Sequence, residues 1–152
     1  MVRGWRGIDV GSRAGHRAGT RIRTDRRAGP GASICGRLHK GDTKAAAAAC
    51  ADQTSILDEF PPHEWHGSGA CAKWMSDYDA DAKKNGITDG VVTLSTPSHV
   101  DISADRAYVV VPANYAFKQK GKPVNEVGSI ITLALQKSAA GWRITGWSWA
   151  KH

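Results

Sequence analysis

Apolar and polar residues alternate with a period of two over most of the chain from Val91 onward. This pattern is typical of β-strands, whose side chains point alternately to opposite faces of a sheet. The alternating runs are joined by links of three or four residues, such as Ser103-Ala104-Asp105. Links this short join antiparallel neighbours, because a parallel pair needs a crossover of about a dozen residues. The predicted strands are 91–102, 106–117, 123–137 and 142–150.

The residues before Val91 predict two helices separated by a short strand. Asp42 is a good N-cap for the alanine-rich run that follows it, and this first helix is expected to end near Gln53. The strand covers 54–60 and ends at Pro61-Pro62, since proline cannot donate a hydrogen bond to a neighbouring strand.

A second helix is predicted between the glycines of 67–69 and the stop signal Asn85-Gly86. Its apolar residues form one stripe at helical spacing. The stripe consists of Ala70, Trp74, Met75, Tyr78 and Ala82. We therefore expect an α+β fold in which N-terminal helices pack on a curved antiparallel sheet, with Pro112 at a bulge or edge position.

The last predicted strand has two unlike faces. Alternation places Ile144, Gly146 and Ser148 on one face. Thr145, Trp147 and Trp149 then lie on the other face, which is large and apolar and must be covered. A helix, a lid or a second subunit would each cover it.

The positive charge of the chain is concentrated in its first quarter. Residues 1–40 hold nine Arg, one Lys and two Asp, a balance of +8, whereas residues 41–152 carry 11 − 12 = −1. The segment is rich in glycine and lacks a regular apolar period, so we expect it to be disordered. It is interpreted as a non-native start, as an arm that contacts nucleic acid through phosphates, or as a targeting peptide. The nearly neutral remainder, 41–152, is the predicted domain and argues against any other nucleic-acid surface.

The three cysteines, Cys35, Cys50 and Cys71, form no CxxC pair and leave one residue over. This pattern argues against a disulfide scaffold and a structural zinc site, and favours a reducing, cytoplasmic location. No apolar run approaches the length of a membrane helix. The sequence contains no GxGxxG or P-loop motif, and we expect no cofactor.

The order of the predicted elements resembles that of the NTF2-like superfamily, which includes SnoaL-like proteins and ketosteroid isomerases. The resemblance covers about 40–152 and rests on three segments. They are ADQTSILDEFPPHEWHG (51–67), KWMSDYD (73–79) and GWRITGWSWA (141–150). It implies a cone-shaped, cystatin-like fold around a cavity for a small apolar or aromatic ligand. The superfamily usually has a longer first helix, which the segment before Lys40 does not supply, so we expect the first helix to be incomplete. The resemblance also implies a homodimer formed through the outer sheet face.

Asp58 is the best candidate for chemistry. It ends the predicted strand at the place where the resembled isomerases carry a proton-shuttling aspartate, and Ile56, Leu57 and Phe60 make an apolar setting plausible. The alternative is a carboxylate that only caps the following turn. The first helix has no tyrosine and the late strand 129–135 has no acid, so the oxyanion donors of those isomerases are missing and their activity is not expected.

Several other residues are candidates for a site. His66 is a second candidate for proton transfer, since the pKa of a free imidazole is near neutral. His63 and His66 together provide at most two metal ligands, so no metal site is predicted. The candidate ligand-binding residues combine apolar surface with a few polar groups, as small-molecule sites require. They are Trp65, Tyr78, Asn114, Tyr115 and Glu126.

The sequence favours the first of three functions and keeps the other two as alternatives. The first is binding of a small molecule without established chemistry. The second is a SnoaL-like isomerase, cyclase or hydratase that uses Asp58 as a general base. The third is a protein-interaction or dimerisation module.

Overall fold

The computed structural model of the protein describes residues 48–152. The expectations for segment 1–40, for Cys35 and for the Asp42 cap fall outside these residues. After two helical residues, 48 and 49, one complete helix and seven strands follow one another along the described chain. They are β1 (Cys50–Leu57), β2 (Glu64–Ser68), α1 (Ala70–Asn85), β3 (Ile87–Leu94), β4 (His99–Ser103), β5 (Arg106–Gln119), β6 (Lys122–Ser138) and β7 (Gly141–Ala150).

The strands form a single curved sheet around α1. Its order is β2-β1-β7-β6-β5-β3, and β4 also pairs with β5. All neighbours are antiparallel except β1 and β7, which are parallel. The helix contacts β1 and β2 at one end of the sheet and β3 at the other. The sheet therefore curls around the helix, and its concave face is the inner one.

The second helix is confirmed, but the strand predicted over 91–102 is two strands. β3 and β4 follow the same edge of β5, with Leu94 opposite Ala113 and His99 opposite Val110. Pro97 lies between them and has no N–H to donate, so regular pairing is interrupted there. The polar residues around Pro97, from Ser95 to His99, were the available signal for this break.

The first helix does not reach Gln53, since β1 already begins at Cys50. Cys50 lies opposite Ile144 of β7, and the Thr54 hydroxyl donates to the Ile144 carbonyl at 3.1 Å. The helix propensity of alanine amounts to a few tenths of a kcal/mol per residue, roughly, and pairing with a distant strand outweighs it. β1 also ends at Leu57, so Asp58 lies just after the strand.

The predicted faces of β7 are wrong for Ile144. Gly146 lies opposite Ala134, but Ile144 lies opposite Leu135, so one extra residue of β7 forms a bulge between these pairs. A bulge shifts the alternation by one position. Ile144 is therefore buried on the concave face, the face that Trp147 and Trp149 also pack against.

The core lies on the concave face. Its larger part is built from β5, β6 and β7, where Val109, Val111 and Leu133 are almost fully buried. A smaller cluster joins Ile56 and Trp65 to the first turn of α1. The convex outer face differs, because its apolar side chains are exposed. Tyr108, Ile130 and Leu57 expose 47%, 41% and 57% of their surface.

Candidate functional site

The carboxyl group of Asp58 lies between the end of β1 and the side of α1. The indole Nε1–H of Trp74 donates to Asp58 Oδ2 at 2.8 Å, and the backbone N–H of Glu59 donates to Oδ1 at 2.6 Å. Burial raises the pKa of Asp58 by more than the two hydrogen bonds lower it, so that the pKa rises from 3.8 to about 6. The negative charges of Glu59 and Glu126 raise it further. Asp58 can therefore accept or release a proton close to neutral pH.

Aromatic rings form the apolar surroundings of this carboxyl group. Trp74 stacks on Tyr78 with 5.7 Å between ring centroids, and Trp147 meets Trp74 edge-on at 4.9 Å. Phe60 packs against both Trp74 and Tyr78. Trp74 and Tyr78 meet because they are four residues apart on one helix, so they share a face.

The hydroxyl groups of Tyr78 and Tyr115 are hydrogen-bonded to each other, which joins α1 to β5. Burial raises the pKa of both tyrosines, and for Tyr115 the hydrogen bond with Tyr78 raises the pKa further. Both phenols are therefore neutral at physiological pH. Because one hydroxyl donates within the pair, the other keeps its own O–H for a third partner.

Glu126 lies directly opposite Tyr115 on the neighbouring strand. Its Oε1 accepts from Lys151 Nζ at 2.6 Å, and the same ammonium group lies 2.9 Å from Glu59 Oε2. The hydrogen bond to Glu126 raises the pKa of Lys151. This ion pair brings the residue after β7 to the loop that follows Asp58.

Gly90 provides the space for the tyrosine pair. An added Cβ at this buried residue of β3 would lie 2.7 Å from the Tyr115 hydroxyl oxygen, much closer than real Cβ atoms approach. The sequence analysis missed Trp74, Gly90 and Lys151 as site residues. For Trp74, its spacing of four from Tyr78 was an available signal. Lys151 and Gly90 offered none, since their contacts depend on the curvature of the sheet.

The structure thus brings together four of the predicted site residues, Asp58, Tyr78, Tyr115 and Glu126. Trp65 is next to them: it is buried, its ring centroid is 4.9 Å from that of Phe60, and its Nε1–H donates to Asp77 Oδ2 at 2.8 Å.

Two predicted residues lie apart from the group. His66 is exposed and pairs with Ser55, on the side of the β1–β2 hairpin opposite to Ile56 and Trp65. Asn114 is exposed as well, and its Oδ1 accepts from the backbone N–H of Gly128 at 3.1 Å. Asn114 thereby stabilises the irregular pairing of β5 with β6.

An open groove of about 520 Å³ runs beside β2 and the start of α1. It is lined by Pro62, Glu64, Trp65, His66, Ser68, Ala70, Lys73 and Asp77. Asp58 does not line this groove. Across residues 48–152, His, Cys, Asp and Glu side chains form no group of three or more that is arranged to hold a metal ion.

Cys50 and Cys71 form a disulfide, with 6.6 Å between their Cα atoms. The interpretation of the cysteine pattern as one that argues against disulfides is therefore wrong for this pair. The two residues are 21 positions apart, and only the packing of α1 against β1 brings them together. The disulfide joins the strand that leads to Asp58 to the first turn of the helix that carries Trp74.

In the described part of the chain, a curved sheet wraps one helix, which is the arrangement of a cystatin-like, NTF2-type fold. Comparison with known proteins agrees. No protein-family model matches the chain, and no match was found among curated proteins. Solved structures do match, and three of them have 12% to 20% identity with this chain.

One is a ketosteroid isomerase-like protein from Erwinia carotovora, with 20% identity, a TM-score of 0.54, and coverage of 72% of this chain and 81% of that one. Another is an NTF2-like protein with a cystatin-like fold from Novosphingobium aromaticivorans, with 16% identity, a TM-score of 0.55, and coverage of 73% and 70%. An NTF2-like superfamily protein from Salmonella enterica has 12% identity, a TM-score of 0.59, and coverage of 72% and 77%. The chain therefore has the NTF2-like fold, which hosts many functions.

A helix that could span a membrane is not found in the part of the chain that the structure describes.

Proposed function

We propose that the concave face binds a small apolar or aromatic molecule next to Asp58. The observation that carries this proposal is the convergence of a carboxyl group and a phenol pair on one patch of aromatic surface. Asp58 is hydrogen-bonded to Trp74, and Tyr78 stacks on the same indole ring while its hydroxyl group meets Tyr115. Apolar walls with a few fixed polar groups are what small-molecule sites require.

A thermal-shift screen of hydrophobic metabolites tests this function. Ligands of the site should raise the Tm of the wild-type protein and raise it less in the Asp58→Asn variant. Asp101→Asn is the matched control, because Asp101 is an exposed carboxylate on β4. A screen in which every ligand stabilises all three proteins equally would place binding elsewhere and contradict the proposal.

A second candidate function is acid–base catalysis by Asp58, in an isomerase, cyclase or hydratase. It is favoured by the pKa of Asp58, about 6, because a general base works best when its pKa lies near the operating pH. The free O–H of the Tyr78–Tyr115 pair supports it as a donor to a developing oxyanion. A structural relative is named ketosteroid isomerase-like. His66 has no part in this proposal, because it faces away from Asp58.

Catalysis of this kind is detected as exchange of protons next to a carbonyl group. Small cyclic ketones incubated with the protein in deuterated water should gain deuterium at the α-carbon, as followed by NMR. The exchange should disappear in Asp58→Asn and persist in Asp101→Asn. Equal exchange in wild type and Asp58→Asn would exclude this role for Asp58.

We also propose that two copies of the chain associate through the convex outer face. The centre of this face carries the exposed apolar side chains of Tyr108 and Ile130, next to the hydrogen-bonded hydroxyls of Thr132 and Ser148. Exposed apolar side chains of this kind fit the self-complementary interface of a symmetric dimer, and the charged Asp101 opposite Tyr108 lies on the edge strand β4. Sedimentation at micromolar concentration should show a dimer that Ile130→Lys dissociates. Ile102→Lys, at an exposed position on the other face, should leave it intact.

The disulfide supports a different compartment from the one that the cysteine count suggested. The cytoplasmic location expected from the sequence depends on cysteines that stay reduced. We infer instead that the protein works in an oxidising compartment, where a Cys50–Cys71 bond persists. Thiol labelling of protein isolated under quenching conditions checks this, since free thiols at both positions would restore the cytoplasmic interpretation.

A further inference from the structure

β2 is an end strand of the sheet, and no other described strand pairs with its outer edge. The hydrogen bonds of the β1–β2 hairpin show which backbone groups face that edge. The backbone N–H of Asp58 donates to the His63 carbonyl at 3.0 Å, so this opposite pair faces inward, between the two strands. Inward and outward residues alternate along an antiparallel pair, so the N–H and C=O groups of Glu64 and His66 point away from β1.

The other side of β1 agrees with this assignment. The carbonyl oxygen of Ser55 lies 3.3 Å from the position that a Cβ on Gly146 would occupy, so the backbone of Ser55 faces β7. Ser55 lies opposite His66. Two opposite residues that do not bond to each other both turn their backbone groups outward, so His66 faces the outer edge. Both Glu64 and His66 are exposed, and their four backbone groups line an edge to which another strand can pair.

The open groove of about 520 Å³ runs along this same edge. One of its walls is β2. The other is a single face of α1, which carries Ala70, Lys73 and Asp77 at helical spacing. Trp65 and Ala70 are almost fully buried and form its apolar floor. The groove therefore has room for the side chains of one further strand, on the side of that strand that faces the helix.

The charges along the edge select the side chains of such a strand. Lys73 and Asp77 are ion-paired, so their charges compensate each other. The other two charges of the edge are negative. Glu64 lies at one end, and at the other end Asp52 accepts from Ser68 Oγ at 2.8 Å. Glu64 and Ser68 share a face of β2, so a strand with two basic residues on that face complements both carboxylates.

We propose that β2 binds an extended basic segment of a partner protein, which adds to the sheet as an antiparallel strand. Lysine or arginine side chains of the partner lie beside Glu64 and Asp52. The β-branched residues between them fill the groove next to Trp65 and Ala70. Backbone hydrogen bonds supply affinity in this mode, and the alternate side chains supply specificity. The interaction is separate from the proposed ligand site, because Asp58 does not line the groove.

Fluorescence polarisation of a labelled hexapeptide, Lys-Val-Thr-Val-Lys-Val, tests the charge requirement on the full chain. In the proposed register its lysines lie opposite Ser68 and Glu64, and its threonine lies opposite His66. A peptide with both lysines replaced by glutamate should bind wild type about tenfold more weakly, because like charges then meet. Glu64→Lys should reduce or reverse this preference. Asp101→Lys is the same charge change at an exposed position on β4 and should keep it.

Two N-methylated peptides and two variants test the backbone pairing. In the antiparallel register the threonine of the peptide turns its N–H toward His66, so methylating this nitrogen should weaken binding about tenfold. Methylating the next valine, whose N–H points away from β2, should not change it. His66→Pro removes the outward N–H of β2 without breaking a bond to β1, and it should weaken binding to a similar extent. His66→Ala keeps that N–H and should bind the peptide like wild type.

Three results would overturn this proposal: no binding of the lysine peptide, equal binding of the glutamate peptide, or equal binding of both methylated peptides. A dimer in sedimentation that His66→Pro dissociates would assign the edge to a second copy of the chain and also contradict it. Asp58→Asn should bind the peptide like wild type, so that failure here leaves the proposed ligand site standing. If His66→Pro unfolds, the methylated peptides on the wild-type chain decide.

Discussion

Trp74 donates its indole N–H to Asp58 Oδ2 at 2.8 Å across a sequence separation of 16 residues. Two opposing effects therefore act on one carboxyl group. Burial favours its neutral form, while the hydrogen bonds from Trp74 and from the backbone of Glu59 favour the charged form. Burial is the larger effect, and the pKa of Asp58 is about 6.

Replacing Asp58 with asparagine should stabilise the protein at pH 7. The folded chain retains a proton on Asp58 up to about pH 6, whereas the unfolded chain loses it near pH 3.8, so wild type loses stability as the pH rises through this window. A fully buried carboxyl group with this pKa would change the free energy of unfolding by roughly 3 kcal/mol. Because Asp58 keeps some solvent contact, we expect about 1 to 2 kcal/mol.

Urea denaturation of wild type and Asp58→Asn between pH 3.5 and 8, the range over which this carboxyl titrates, measures this difference. The advantage of the variant should be largest at pH 7 and should vanish near the lower end of the range. A variant that is equally or less stable at pH 7 would show that Asp58 titrates normally.

Replacing Trp74 with phenylalanine should raise the pKa of Asp58 above 6. The substitution removes the N–H that lowers this pKa and keeps an aromatic ring against Tyr78. Carbon-13 NMR of the carboxyl group across the titration measures the pKa directly. Trp142→Phe, a change of the same size on β7, should leave it unaltered. An unchanged or lower value in Trp74→Phe would mean that the indole does not stabilise the carboxylate.

Adding one methyl group at Gly90 should separate the tyrosine pair. The new Cβ would lie 2.7 Å from the Tyr115 hydroxyl oxygen, so the phenol must move away from Tyr78. Overpacking of this kind costs about 1 to 3 kcal/mol of stability. Chemical denaturation of Gly90→Ala measures the loss, and ligands of the site should bind the variant more weakly.

A double-mutant cycle identifies the cause of that loss. Tyr115→Phe removes the oxygen that the new methyl group meets first. Gly90→Ala should therefore cost less in the Tyr115→Phe background than in wild type. If the two costs are equal, the strain at Gly90 lies elsewhere.

Reducing the Cys50–Cys71 disulfide should destabilise the folded domain by about 3 kcal/mol, the chain-entropy value for a loop of this size. Urea denaturation with and without dithiothreitol measures the loss. Cys50→Ser should be destabilised from the outset and insensitive to the reductant. If wild type does not respond to a reductant that exposes both thiols, the bond contributes no stability.

The sequence predicted the elements that depend on local pattern. α1 is recognisable because Gly69 and Gly86 bound a stripe of apolar residues. The strands β5 to β7 are recognisable because apolar and polar residues alternate along each of them and the links between them are short. The bulge in β7 is not recognisable, since one extra residue leaves no compositional trace. For the same reason the face of Ile144 was wrongly predicted.

The candidate site was predictable only in part. Asp58, Tyr78, Tyr115 and Glu126 were chosen as polar residues in apolar surroundings, and the fold brings them together. The residues that contact these four were not predicted, because the contacts depend on the curvature of the sheet. Lys151, for example, reaches Glu126 across 25 residues of sequence. The Cys50–Cys71 pair escaped notice for a related reason, since no spacing rule links a strand to a helix that packs on it.

The parallel pairing of β1 with β7 has a consequence for how the protein is made. Thr54 bonds to the Ile144 carbonyl, 90 residues further along the chain. During synthesis β1 leaves the ribosome long before its neighbour exists, and contacts so distant in sequence slow folding. The surroundings of Asp58 are thus completed only once the last strand has been translated, since a chain that stops before Gly141 lacks the Trp147 ring that meets Trp74 and the Lys151 ammonium that pairs with Glu59.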